Sequence, residues 1–143
     1  VLFRSVPDQP GVAADMFETI GEASIFVDMI VQGYDGEDGL TSVSFTVHRD
    51  DLTRSLEVAR QIQQKHEMRD AQGAAEIAKV TVSGIGLRSH TSVGAILFQE
   101  LAAAGINVEM IGTSELQVNA VIDEGKVAVA ADRLKIAFAD ALL

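Results

Sequence analysis

The apolar positions of this chain alternate between two periods, and each change of period marks an element. Val1–Val6 is a short apolar run that predicts a strand, and Gly11–Ala23 carries Val12, Met16, Phe17 and Ile20 on one helical face. Ile25–Gln32 returns to a period of two, with Ile25, Val27, Met29 and Val31 alternating against Phe26, Asp28 and Ile30. The glycines and acids of Gly33–Gly39 predict a hairpin loop, and Leu40–His48 a strand with Val43, Phe45 and Val47 on one face. Asp50 or Asp51 can cap a helix that carries Leu52, Leu56, Val58 and Ile62 and runs to about Lys65. His66–Glu76 is polar, with room for a weak edge strand. The order then restarts: Ala78–Ile85 strand, Ser89–Ala104 helix, Ile106–Thr113 strand, Leu116–Asp123 strand, Lys126–Phe138 helix.

The restart is a repeat in residues as well as in pattern. Residues 6–32 lie over 87–113 without a gap, matching Val12 with Val93, Phe17 with Phe98, Ala23 with Ala104 and Ile25 with Ile106. Val27, Met29 and Ile30 likewise match Val108, Met110 and Ile111, and Asp28 falls on Glu109. Each copy reads as βαββα, with a last strand to complete it. The expected fold is therefore α+β: two tandem ferredoxin-like βαββαβ units, residues 1–77 and 78–143, each an antiparallel sheet with its helices on one face. The second copy shows no last strand, so that strand comes from elsewhere or one sheet edge is open. Apolar residues on both faces of Ile25–Gln32 imply that its outer face is also covered, by a neighbouring sheet or a second chain.

Composition narrows the function. With 11 basic and 21 acidic residues the net charge is −10, which argues against a nucleic-acid or anionic-membrane surface. There is no cysteine, so disulfides and cysteine-based metal or redox chemistry are excluded. No apolar run reaches the length of a membrane span and no signal peptide is visible, so a cytoplasmic protein is expected. The start at Val1, inside a predicted strand, suggests a piece of a longer protein. His48, His66 and His90 have no metal-binding spacing and read as surface or loop histidines. Ser89-His90-Thr91-Ser92 has no acid in a defined role, and Ser89 fits a helix cap better than a nucleophile. Ser83-Gly-Ile-Gly86 lacks the third glycine of a dinucleotide site, there is no Walker lysine, and Asp35–Asp38 does not match a calcium loop.

What remains is one turn, used twice. In Val6-Pro-Asp-Gln-Pro-Gly-Val-Ala-Ala14, Pro10 fixes its own φ and holds Gln9 out of the helical region, so the chain must turn. Gly11 allows close approach to the backbone, and the helix that follows starts with amides lacking internal partners. Those amides suit an anion and Asp8 suits a cation, so the turn can hold a zwitterion. Taken locally, an ordinary strand-to-helix bend capped by Asp8 explains it as well. The equivalent turn, Ser89–Gly94, opens the first helix of the second copy, and two such turns in a pseudo-symmetric pair favour pockets at an interface.

Several stretches, in order, resemble one family. Val6–Ala14, Val27-Asp-Met-Ile-Val-Gln32, Ser44-Phe-Thr-Val47, Gly84-Ile-Gly-Leu-Arg-Ser-His90 and Gly105-Ile-Asn-Val-Glu-Met-Ile-Gly-Thr-Ser-Glu115 together resemble the regulatory tail of aspartokinases, a tandem pair of ACT domains. The resemblance implies feedback inhibition by an end-product amino acid, threonine first and lysine second, bound where ACT units of two regulatory chains meet. It implies no catalytic residue here. ATP and magnesium belong to the kinase domain or subunit that this part would partner, which phosphorylates aspartate on the way to lysine, threonine and methionine. Carried over by motif, the effector pocket comprises Asp8, Gly11, Val12, Ala13 and Gln32 from one chain, with Gly105, Asn107 and Val108 from its partner. Ser89, Thr91, Ser92, Ser114 and Glu115 are candidates for a second site. That site departs from the family pattern, with Thr91-Ser92 in place of Pro-Gly and Phe26 in place of an Asn, so one type of site is expected. The alternative is a dimerisation module that binds no ligand.

Overall fold

In the computed structural model, which describes residues 1–84 and 92–139, the first half of the chain runs β1 (Leu2–Pro7), α1 (Val12–Glu22), β2 (Val27–Tyr34), β3 (Leu40–Val47), α2 (Leu52–Lys65) and β4 (Asp70–Gln72). The strands lie in the order β2-β3-β1-β4, every pair antiparallel. Helix-linked β1 and β2 are thus kept apart by β3, and the arrangement is ferredoxin-like. Alternation decides which side of β3 is covered. Thr41, Val43 and Phe45 are buried toward the helices, while Ser42, Ser44 and Thr46 lie half-exposed on the other face. Met16 and Ile20 of α1, with Val58, Ala59 and Ile62 of α2, close this core from above. Phe45 is 1 % exposed and its ring lies 6.0 Å from Phe3 and 5.8 Å from Phe17, centroid to centroid. Burying a side chain of that size contributes about 1.5–3 kcal/mol.

The second unit follows the same plan with β5 (Ile77–Ser83), α3 (Val93–Ala103), β6 (Met110–Thr113), β7 (Gln117–Asp123) and α4 (Val127–Ala137). Its strands are ordered β5-β7-β6, again antiparallel. Val80, Leu97, Leu101, Ile106, Val118, Ala120, Ile122, Ala130 and Leu134 form a separate core. The units divide between Ala75 and Glu76, two residues before the boundary expected from the sequence, because β5 already begins at Ile77. Among the described residues no strand follows α4, and β5 pairs with β7 alone.

Three boundaries differ from the sequence reading. β2 starts at Val27 rather than Ile25, and β6 at Met110 rather than Ile106. The reason is common to both: the preceding helix ends in a Schellman turn. The amides of Ser24 and Ile25 return to the carbonyls of Gly21 and Ile20, as those of Gly105 and Ile106 return to Ala102 and Leu101. Ile25 and Ile106 therefore enter the cores as the apolar ends of those turns, not as strand residues. The hairpin loop is also shorter than expected. β2 runs through Gly33 and Tyr34, paired with Ser42 and Thr41, and only Asp35–Gly39 turns. On the outer side of the first sheet, Phe26 just before β2 is 67 % and Ile30 on it 53 % exposed.

Candidate functional site

The turn after β1 is shaped by its neighbours in the sheet. Pro7 pairs with Leu40, and the Asp8 amide donates to the Gly39 carbonyl at 2.9 Å, so the turn leaves the sheet at the mouth of the hairpin. Gly11 then sits at φ +93°, in the left-handed region, as the N-cap residue of α1. No side chain caps the helix. The Val12 amide reaches the Gln9 carbonyl at 3.3 Å and Asp15 closes the first turn onto Gly11 at 3.0 Å. The amides of Ala13 and Ala14 have no acceptor among the described residues, which leaves donors at the positive end of the helix. Asp8 therefore does not act as the cap that local sequence suggested. Asp8 is instead exposed, in the turn that leads into α1.

Gln32 belongs to the same end of the first sheet. It lies on edge strand β2 opposite Val43, two residues before Tyr34 pairs with Thr41. Thr41 in turn pairs with Val6 on its other side. The C-terminal ends of β1 and β2 and the start of α1 thus share one edge of the unit, with Asp8, Gly11, Ala13 and Gln32 exposed there and Val12 half-buried against the core.

The residues expected from the second unit gather at the end of α3. Gly105 has φ +67° as the left-handed residue of the Schellman turn, which gives it a structural duty of its own. Asn107 is exposed, with its amide nitrogen 3.4 Å from a Glu109 carboxylate oxygen, and Val108 packs half-buried against the second core. Of the second set, Ser89 and Thr91 lie outside the described residues. Ser92 is the exposed N-cap residue of α3, and its side chain makes no capping hydrogen bond among the described residues. The Ser114 hydroxyl accepts from the amides of Leu116 and Gln117 at 3.3 and 3.1 Å and so shapes the β6–β7 turn, while Glu115 is exposed beside it.

Two polar clusters escaped the sequence reading. Asp35, in the acidic hairpin loop, is half-buried and accepts from both the amide and the hydroxyl of Ser5. Ser5 lies at φ +55° where β1 shifts register, so the carboxylate secures an irregular strand. The second cluster joins the helices. Asp15 of α1 receives Lys65 at 2.5 Å and His66 at 2.6 Å, both from the C-terminal end of α2. The Lys65 ammonium, and after it the His66 ring, holds the Asp15 carboxyl below its ordinary range. His66 is thus a bridging residue rather than a loose loop histidine. Partners 50 and 51 positions apart leave no periodic trace. Among the described residues no group of His, Asp or Glu could hold a metal ion, and no helix is long and apolar enough to cross a membrane.

Known proteins share this architecture. A family model of the ACT domain matches residues 4–62 and 80–138, both repeats, and the chain belongs to that family. It is 43% identical over 135 residues to an aspartokinase of Pseudomonas aeruginosa, covering 94% of this chain and 32% of that protein. Among solved structures, one of aspartokinase α and β subunits superposes with a TM-score of 0.88 at 40% identity, covering 96% of this chain and 90% of the other. The regulatory subunit of aspartate kinase from Thermus flavus gives 0.87 at 36% identity, covering 96% and 90%. Within the ACT family, then, the chain is a regulatory region of the aspartokinase kind, and it spans about a third of the length of that Pseudomonas relative.

Proposed function

We propose that this region senses an end-product amino acid and imposes feedback inhibition on an aspartate kinase, with threonine as the first effector and lysine as the second candidate. The observation that carries the reading is the uncapped start of α1: free amides at Ala13 and Ala14, with Asp8 and Gln32 exposed at the same end of the unit. The amides bind the effector carboxylate, Asp8 takes its ammonium, and Gln32 hydrogen-bonds a side-chain hydroxyl. Gly105, Asn107 and Val108 of a second regulatory chain complete the pocket, so the effector is buried between ACT units of a homodimer. A bound effector then favours one packing of that dimer, and the packing disfavours the active kinase, by no more than the effector's differential affinity for the two packings. The kinase domain or subunit is the remaining partner, and ATP and magnesium belong to it.

A ligand-independent dimerisation module is the second reading. It is favoured by the apolar side chains exposed along the edge strands: Phe26, Ile30 and Tyr34 at β2, and Ile111 on β6. Calorimetry with threonine, lysine and methionine separates the two. Threonine is expected to bind, with Asp8→Ala and Asn107→Ala each weakening it about tenfold or more, the scale of a lost charged hydrogen bond. Sedimentation should show the dimer fraction rising with threonine. Lysine binding that survives Asp8→Ala would point to a second type of site, and no response to any of the three would leave the dimerisation module.

A further inference from the structure

We propose that the Asp15–Lys65–His66 cluster makes amino-acid binding at the first turn depend on pH, with protonation of His66 strengthening it. The inference rests on the effector reading above and concerns the regulation of that same site.

The geometry couples the cluster to the turn in two ways. Mechanically, Asp15 is the residue whose amide closes the first turn of α1 onto Gly11, at 3.0 Å. Its carboxylate is held from the other helix by Lys65 and His66 at 2.5 and 2.6 Å. A firmer tie from α2 holds the start of α1, and the donors it presents, in the binding conformation. Electrostatically, Asp15 is the acid in the first turn of α1, where its negative charge cancels part of the positive helix end that an effector carboxylate needs. Lys65 neutralises that charge. A neutral His66 leaves the cluster balanced, whereas a protonated one leaves it net positive beside the anion-binding amides. Both effects have the same sign.

His66 is placed to act in this way. It is the C-cap residue of α2, its amide bonded to the Ile62 carbonyl at 3.1 Å, at the helix end that favours a cation. Its side chain is 17 % exposed, against 60 % for Lys65. The charged group facing it from α1 is Asp15, and from its own helix Lys65, which shares that carboxylate; no other charged side chain is ion-paired with the three among the described residues. Histidine is the ordinary side chain that changes charge near neutral pH. By linkage, the effector must in return promote proton uptake by His66.

The test is titration calorimetry of the 143-residue chain with threonine at pH 6.0 and 7.5, in two buffers of different ionisation heat. One added positive charge at the first turn of the helix, partly screened, corresponds to about three- to tenfold tighter binding at the lower pH. The buffer comparison should register net proton uptake. His66→Gln keeps a hydrogen-bonding side chain but cannot take the charge, and should bind threonine equally at both values. His48 and His90 are unchanged in that variant and serve as internal controls. Thermal melts show whether His66→Gln is folded. If it is not, Lys65→Met is expected to weaken binding at both pH values while keeping the ratio between them. Equal wild-type affinity at the two pH values, or a ratio that persists in folded His66→Gln, overturns the proposal and leaves the effector reading standing. Absence of binding by threonine, lysine and methionine at both values refutes the effector reading and this inference with it.

Discussion

Replacing Gly11 by alanine separates the backbone requirement of the turn from every packing effect. A β-carbon built on Gly11 meets nothing within 4 Å, so the whole cost in the free chain is conformational. At φ +93° an L-residue is strained by about 1–2 kcal/mol. Alanine also restricts the unfolded chain, which offsets about 0.4–1 kcal/mol of that strain. The net expectation is a loss between about 0 and 1.6 kcal/mol, centred near about 0.8 kcal/mol, and for a unit of this size each kcal/mol lowers the melting temperature by about 4–8 °C. Gly21 provides the control. It lies inside α1, again with nothing within 4 Å of a β-carbon, and without a positive φ. There the same substitution should stabilise by about 0.5–1 kcal/mol, because only the gain in helix preference and the unfolded-state restriction remain. Urea and thermal denaturation of the two variants should therefore move in opposite directions. If both move the same way, the left-handed conformation of Gly11 is not what the turn depends on. Calorimetry adds a second reading: Gly11→Ala should lose threonine affinity, since its new methyl enters the space the effector backbone would use.

Two further predictions follow from the same geometry. Ser24→Gly should stabilise the chain by about 1 kcal/mol, because Ser24 holds φ +55° in the turn where the second repeat places Gly105; the denaturant midpoint is the measurement, and an unchanged or lowered midpoint refutes it. Asp15→Asn should flatten acid unfolding. The folded-state value of Asp15 is depressed below its ordinary 3.8, so the stability it contributes is present above that value and disappears as pH falls through the folded one. The wild type should lose melting temperature faster than Asp15→Asn from about pH 5 to 3, and parallel curves would contradict the account.

The repeat was legible because its signal is local. Val12, Met16 and Ile20 recur at helical spacing and Thr41, Val43 and Phe45 at strand spacing, and burial follows both patterns. The strand starts were misjudged because Ile25 and Ile106 are apolar for a different reason, as the buried ends of Schellman turns. Periodicity counts such a residue as strand. The pocket turn was visible through Pro10 and Gly11, whose backbone preferences act where they stand. Ser5 with Asp35, and Asp15 with Lys65 and His66, were not visible, since each joins residues at least 30 positions apart through single side chains. Nothing in a one-dimensional pattern distinguishes Asp35 from its solvated neighbour Asp38.

The position of β1 has a consequence for how the protein is made. Leu2 and Phe3 pair with Ser44 and Val43 on one side and with Gln72 and Ala71 on the other. β1, which is made before the rest of its own unit, thus waits for almost the whole of that unit before its second edge is covered. Until Asp70–Gln72 emerges, Leu2–Arg4 is an open template beside a core that is otherwise nearly complete. Translation slowed within α2 or the residues just after it would prolong that interval, whereas slowing within the second unit would find the sheet already closed.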